Sequence, residues 1–413
     1  MAITPTVIEQ VDMSIRPSSR VQDVEYAIRD VLVKAEEVHR SGKRILYLNI
    51  GDPVRYGFET PIHIRRAFTK AVEDGFNYYS PSEGLRELRD AIAEKENRIN
   101  NASIDLDHVV VTTGISEAIM FLMAAIVNPG DEVLIPGPCY PTYLTYAKFF
   151  DGKPVIYRTI EDRGWSTDLE DLESKITDRT KLMVVINPNN PCGSVLPRSD
   201  LTRILELAAS HNIPVAADEI YDRIVYDGSF SSVASLAKDA SVIGLNGFSK
   251  AHLMTGWRLG YMYIQDPEGK LKNVWEGIQR LSRLRLCANT PVQLAGVEAL
   301  RGPQHHVDEM VSTLRKRRDL ARKRINEIPG LSAGKPAGAF YIFPRINWIG
   351  SKWKNDEEFV TELLKETGVL VVHGSGFDKV YGKDHFRAVF LPSEPELEDA
   401  LTAIEQFMKA REP

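Results

Sequence analysis

The sequence predicts an α/β protein, in which a large three-layer domain with a mixed, mostly parallel sheet is joined to a smaller α+β domain. Three observations carry this. Short apolar runs alternate with longer amphipathic segments between about residues 109 and 264, the signature of βαβ units. The last of these runs follows its predecessor too closely for a parallel crossover. A long amphipathic pattern over 303–328 then ends the alternation.

In chain order, the strand candidates are HVVVTTG, DEVLIPG, KPVIYRT, KLMVVINP, IPVAADE and SVIGLNG, with LTRILELAASHN one of the helical segments between them. AIMFLMAAIV (118–127) is the longest apolar run, well short of the roughly 20 residues of a membrane span, and reads as a core helix. Only six residues separate Lys250 from Trp257, where WRLGYMYI begins. A parallel connection needs about a dozen residues or more, so this strand is predicted to run antiparallel to SVIGLNG. In the helix over 303–328, Val307, Met310, Val311, Leu314, Ala321, Ile325 and Ile328 share one stripe, and RKRR (315–318) reads as its solvated face. The expected division is 1–55 (arm and part of the small domain), 56–302 (large domain) and 303–413 (small domain).

Composition narrows function. With 413 residues, 43% hydrophobic and 26% charged, the chain can bury a large core without staples, and its net charge of -6 provides no field for nucleic acid. Three scattered cysteines (Cys139, Cys192, Cys287) suit a reducing compartment. The first twenty residues lack an apolar segment, and Glu9 and Asp12 argue against a transit peptide. The reading is a cytoplasmic protein. The nine histidines show no metal-ligand spacing, so no metal is expected. VLVVHGSGF (369–377) imitates a dinucleotide fingerprint, but its third glycine position is Lys379 and no βαβ unit follows.

The polar residues gather at the carboxyl ends of the strands. The turn TTGIS (112–116) follows HVVV, Asn187 and Asn190 follow KLMVVI, Asp218 follows IPVAA, and Ser249 and Lys250 follow SVIGLNG. Open α/β sheets collect their ligands there. A helix opening on Gly-Ile-Ser offers free N–H groups to an anion, which Ser249 and Arg258 could also hold. A lysine beside a phosphate, with an acid on a neighbouring strand, suits a Schiff base with pyridoxal phosphate. Taken singly, each residue has a plainer explanation. Asp218 could cap a helix or pair with Arg223, Lys250 could snorkel, and Arg258 could be a rim charge. Arg387, among apolar residues in FRAVFL, needs an anionic partner, with Glu394 the structural alternative.

NPNNPCG (187–193), ADEIYD (217–222), SKAHLMTGWRLGY (249–261) and YYSPSEGLRELRDAIA (78–93) resemble the fold-type-I pyridoxal-phosphate-dependent aminotransferases. VEYAIRD, LNIGDPV, RLCANTP, GAFYIFP and HGSGF are similar to the archaeal-type alanine aminotransferases within them. The resemblance implies Lys250 as the Schiff-base lysine and proton carrier, and Asp218 as partner of the pyridine nitrogen. Asn190 and Tyr221 would bond the ring oxygen, and Tyr140 would stack on the ring. Ile115, Ser116, Ser249 and Arg258 would hold the phosphate, with Tyr79 reaching the phosphate of a neighbouring subunit in a homodimer. Arg387, Asn190 and Gly51 would bind the substrate carboxylate. Cys192 replaces the family's usual threonine, which is expected to tune the site without abolishing activity.

The implied reaction moves the amino group of L-alanine to 2-oxoglutarate. Arg29 is the candidate for the distal carboxylate of 2-oxoglutarate and glutamate. The alternatives are an aminotransferase for aromatic or branched amino acids and a C–S β-lyase on the same fold. A transcriptional regulator on this fold would need a helix-turn-helix domain and linker, for which the ~45 residues before LNIGDPV leave no room.

Overall fold

The computed structural model describes residues 15–22, 24 and 27–412. Glu9 and Asp12, and with them the reading of the first residues, lie outside the described part, as do Glu25 and Tyr26 of VEYAIRD.

The apolar runs form one eight-stranded sheet: β1 (Val109–Thr112), β2 (Glu132–Gly137), β3 (Lys153–Ile160), β4 (Ser166–Thr167), β5 (Thr180–Ile186), β6 (Val215–Asp218), β7 (Val242–Gly247) and β8 (Gly260–Gln265). Their order is β1-β8-β7-β6-β5-β2-β3-β4. Strands β7, β6, β5, β2 and β3 are parallel. Strand β8 runs against both β7 and β1, the reversal predicted from the short connection. Every residue of β2, β6 and β7 is buried, because helices cover both faces of the sheet and leave neither to solvent. Ile115–Ile126, Pro141–Phe149 and Lys272–Arg285 pack on one face. Arg86–Ile99, Arg198–Ser210 and Thr290–Arg301 pack on the other.

Four details depart from the sequence reading. Strand β8 starts at Gly260, not Trp257. The ladder with β7 closes at Gly247–Gly260, while Thr255–Trp257 is a 3-10 turn and Arg258 is left-handed, with φ 56°. The two-residue β4 folds back on β3 as a second antiparallel strand. Arg318, read as solvated, is among the most buried side chains. It continues the i+4 rhythm of Met310 and Leu314 into the apolar stripe, and Asp227 (2.5 Å) with the Pro336 carbonyl (3.0 Å) compensates its charge. Ile328 is buried but lies just past the helix His305–Glu327.

Beyond the large sheet, Tyr341–Ile342, Phe386–Val389 and Val372–His373 make a three-stranded antiparallel sheet. Gly374–Gly376 is a 3-10 turn following Val372–His373, so the Gly-x-Gly segment opens no helix of a βαβ unit. Leu46–Tyr47 pairs in parallel with Val369–Leu370, and one apolar cluster joins Leu48, Tyr221, Ile224, Tyr226 and Leu253 to residues between 310 and 408. Among the described residues no helix is long and apolar enough to cross a membrane.

Candidate active site

A cleft of about 960 Å³ opens over the carboxyl ends of the parallel strands. The residues lining it include Ile115, Ser116, Tyr140, Asn190, Asp218, Tyr221, Ser249, Lys250, Arg258, Gly51, Arg387 and Arg29. The structure therefore brings together all of the candidate residues but one. Tyr79 is 79% exposed and does not line this cleft.

One end of the cleft is built for an anion. The helix Ile115–Ile126 starts after Gly114 with no side-chain cap, so its first N–H groups have no intrahelical acceptor. Gly114 adopts φ +84°, and a Cβ there would lie 2.9 Å from the Arg258 guanidinium carbon. A Cβ on Gly260 would come within 2.9 Å of the Ile115 nitrogen. Two bare glycines thus let the turn, β8 and Arg258 close together around exposed donors. The left-handed backbone at Arg258 sends its guanidinium there, where Nη1 donates to the Thr255 carbonyl at 3.1 Å.

The acid stands at the end of β6. Asp218 is buried, and Oδ2 accepts from the Tyr143 hydroxyl at 2.9 Å while Oδ1 accepts from the Ile220 amide at 3.3 Å. Burial pushes its pKa up to about 6, against those two bonds and the nearby Lys250. Lys250 is half-buried and donates to the Gly51 carbonyl at 2.7 Å. Desolvation depresses it to about 8; Arg387 and Arg258 push the same way, opposed by Asp52 and Asp218. Such a lysine can lose its proton near neutral pH.

Arg387 is 1% exposed. Nη1 donates to Asn190 Oδ1 at 2.9 Å and Nη2 to the Asn49 carbonyl, while the rings of Tyr341 and Phe377 lie 4.5 and 4.8 Å from its guanidinium carbon. Glu394, the structural alternative, instead opens the last helix. Asn190 sits in a turn held by Cys192 N–H donating to Asn189 Oδ1 at 3.1 Å, a bond the cysteine side chain leaves intact. Arg29 is an exposed residue of the helix Ala27–Arg40.

Sequence reasoning missed Tyr143, Tyr341, Asn49, Asp52 and Thr255. Tyr143 follows Tyr140 by one helical turn, and a buried tyrosine needs a hydrogen-bond partner, which was the available signal. Tyr341 donates to or accepts from Tyr221 at 2.6 Å between the hydroxyl oxygens. It lies inside GAFYIFP, a segment noticed only for its resemblance. Thr255 donates to Asp52 Oδ1 at 2.8 Å, tying the Arg258 turn to the Gly51 loop. The loop of Tyr221 is anchored below by Asp222, whose Oδ2 accepts from Lys95 (2.5 Å), Asn100 (3.0 Å) and Asn246 (3.0 Å).

An anion cradle, a lysine of depressed pKa and a buried acid at successive strand ends form the donor set that pyridoxal phosphate needs. A family model for aminotransferases of class I and II matches residues 43–404. The chain belongs to this family. It is a transaminase, and aminotransferases of this family use pyridoxal phosphate to pass nitrogen between amino and oxo acids. Among similar aminotransferases, alanine aminotransferase of Mycobacterium tuberculosis is 40% identical over 408 residues, 98% of this chain and 95% of the relative. Glutamate-pyruvate aminotransferase AlaA of Escherichia coli is 37% identical over 399 residues, 95% and 98% of the two chains. The solved structure of alanine aminotransferase from Pyrococcus furiosus matches with a TM-score of 0.94 at 52% identity, covering 96% of this chain and all of that one.

Proposed function

We propose that this aminotransferase carries pyridoxal phosphate and transfers the amino group of L-alanine to 2-oxoglutarate, giving pyruvate and L-glutamate by a ping-pong cycle. The observation that carries the proposal is the meeting of Lys250, Asp218 and the buried Arg387 in one cleft. The substrate pair is supported by the names of the similar proteins.

When bound, pyridoxal phosphate supplies an electron sink that acidifies the substrate α-carbon. The N–H groups of Ile115 and Ser116, with Ser249 and Arg258, hold its phosphate at the helix start. Asp218, with a pKa near 6, is mostly ionised at pH 7 and keeps a proton on the ring nitrogen. Tyr221 and Asn190 would donate to the ring oxygen, and Tyr140 would cover a ring face. Arg387 pairs with the substrate carboxylate, assisted by Asn190 and Gly51. That pairing would aim the substrate α-hydrogen at Lys250 Nζ, the base that would take up the proton and move it onward. Arg29 at the rim meets the distal carboxylate of 2-oxoglutarate and leaves the methyl of alanine untouched.

The same reading divides the chain at residues 56 and 303 into an arm with part of a small domain, a large domain and a C-terminal part of the small domain. The parallel pairing of Leu46–Tyr47 with Val369–Leu370 supports joining the first part to the last. It makes the protein a cytoplasmic homodimer in which Tyr79 serves the partner's site. The exposure of Tyr79 and Tyr78 is in keeping with that.

The test is the absorption spectrum of the purified protein with L-alanine alone. A visible band that bleaches with alanine and returns with 2-oxoglutarate supports cofactor and substrates together. A band unchanged by alanine overturns the substrate assignment, and no band after adding pyridoxal phosphate overturns the cofactor. For Arg29, Arg29→Ala weakens 2-oxoglutarate far more than alanine; equal weakening refutes its role.

A further inference from the structure

Tyr341 touches both Arg387 and Tyr221, two of the cleft's candidate residues. Its strand pairs with Phe386–Val389 so that Tyr341 faces Val389. Arg387 lies two residues before Val389 and therefore projects on the same side of the sheet. That diagonal relation sets the Tyr341 ring 4.5 Å from the Arg387 guanidinium carbon. The far end of the same side chain reaches the Tyr221 hydroxyl at 2.6 Å.

The position of Tyr341 is fixed from several sides. Tyr341 is 2% exposed. A Cβ on Gly51 would lie 2.9 Å from its Cζ and 2.8 Å from Phe340 Cε2, so the bare backbone of Gly51 makes room for this ring. Phe340 and Tyr221 pack edge-on at 5.3 Å between centroids. The charged and titratable groups around the Tyr341 hydroxyl are Arg387, Tyr221, Tyr140 and Asp218.

A hydroxyl carries one proton. If Tyr221 gives its proton to an acceptor in the cleft, its oxygen can only accept from Tyr341, and the pair then has a single direction. We propose that Tyr341 is a positioning residue of the transamination. Its hydroxyl donates to Tyr221 and turns the Tyr221 proton toward the ring oxygen of the cofactor, while its ring supports Arg387 from below. The proposal rests on the roles of Tyr221 and Arg387 given above. A donor that is itself hydrogen-bonded is a stronger donor, by roughly 10–30% per bond. Tyr341 thereby links the carboxylate end of the site to the ring-oxygen end.

The experiment is a spectrophotometric pH titration of the visible band of the pyridoxal-phosphate-loaded protein, together with KM for the amino acid. Loss of a hydrogen bond to the ring oxygen raises the midpoint of that titration. Tyr221→Phe therefore raises it, and Tyr341→Phe raises it by a smaller amount, about 0.3 pH unit. The double variant matches Tyr221→Phe alone, because Tyr341 acts through Tyr221. Tyr341→Phe keeps the ring under Arg387 and leaves KM near its original value. Tyr341→Leu removes the ring and raises KM about 5-fold, the worth of a ~1 kcal/mol cation–π contact. A wild-type midpoint in Tyr341→Phe, when Tyr221→Phe moves it, overturns the relay and leaves the proposed function standing. Additive midpoints in the double variant overturn it as well, since Tyr341 then acts by another route. No movement in Tyr221→Phe removes the premise, and absence of the band in the parent protein removes the proposed function with it.

Discussion

Replacing Tyr143 by phenylalanine tests the electrostatics of Asp218. The carboxylate is buried and has two hydrogen-bond donors, of which the Tyr143 hydroxyl at 2.9 Å is the shorter and more favourable. Burial pushes Asp218 to about 6 despite those donors. A hydrogen bond to a charged acceptor contributes about 1.5–3 kcal/mol, and 1.36 kcal/mol corresponds to one pH unit. Tyr143→Phe therefore raises the Asp218 pKa by about one to two pH units. The ionised share at pH 7 falls from about nine-tenths to between roughly a half and a tenth.

The assay is the dissociation constant of pyridoxal phosphate measured against pH. In the parent protein the affinity weakens as pH falls through about 6, because a protonated Asp218 cannot pair with a protonated ring nitrogen. In the variant the weakening begins one to two pH units higher. Stability of the cofactor-free protein follows the same group with its own sign. An acid whose folded pKa lies above its ordinary value of 3.8 contributes stability below about pH 4 and loses it as pH rises through 6. Tyr143→Phe extends that loss to higher pH. A pH limb unchanged in Tyr143→Phe but abolished in Asp218→Asn would refute the assignment of the shift to this hydrogen bond.

Three further outcomes follow from the same geometry. Lys250 is depressed below 10.5 to about 8, so in the cofactor-free protein its stabilising contribution, present above pH 10, is lost as pH falls through 8. Lys250→Met then melts higher than the parent at pH 7 and the gap closes by pH 10, while transamination disappears; a gap independent of pH in calorimetry contradicts the desolvation argument. Gly51→Ala places a methyl within 2.9 Å of Phe340 and Tyr341, an overpacking cost of about 1–3 kcal/mol, and chemical denaturation should show it together with a raised KM. Lys95→Met leaves Glu96 and Asp222 buried without their shared cation and costs about 3–5 kcal/mol. Urea unfolding checks this, and a variant as stable as the parent would mean that the cluster is compensated otherwise.

Much of this protein was legible in its sequence because the signals are local. Short apolar runs alternating with longer helical segments located the strands and helices of the large sheet, and six residues between Lys250 and Trp257 were enough to reverse β8. Glycines after a strand marked the anion turn, since only a residue without a side chain adopts φ +84° there and lets Arg258 approach. Strand ends converge by topology, so residues as far apart as Thr112 and Lys250 could be assigned to one cleft from the sheet alone.

What lay beyond sequence reading depends on which side chains meet across long separations. Arg318 was read with the solvated face of the helix His305–Glu327, because nothing local announced Asp227 and the Pro336 carbonyl as the groups that make its burial tolerable. Tyr143 is an ordinary helical tyrosine until β6 brings Asp218 beneath it. Tyr341 is an ordinary strand residue until register places it under Arg387 and folding carries Tyr221 to its hydroxyl. The sequence by itself determined the sheet, its reversed strand and the chemistry gathered at its carboxyl edge, because backbone geometry and residue type set those within short windows. Only the tertiary structure decided which tyrosines orient that chemistry, because hydrogen-bond partners 75 and 120 residues apart are chosen by packing, which no local pattern encodes.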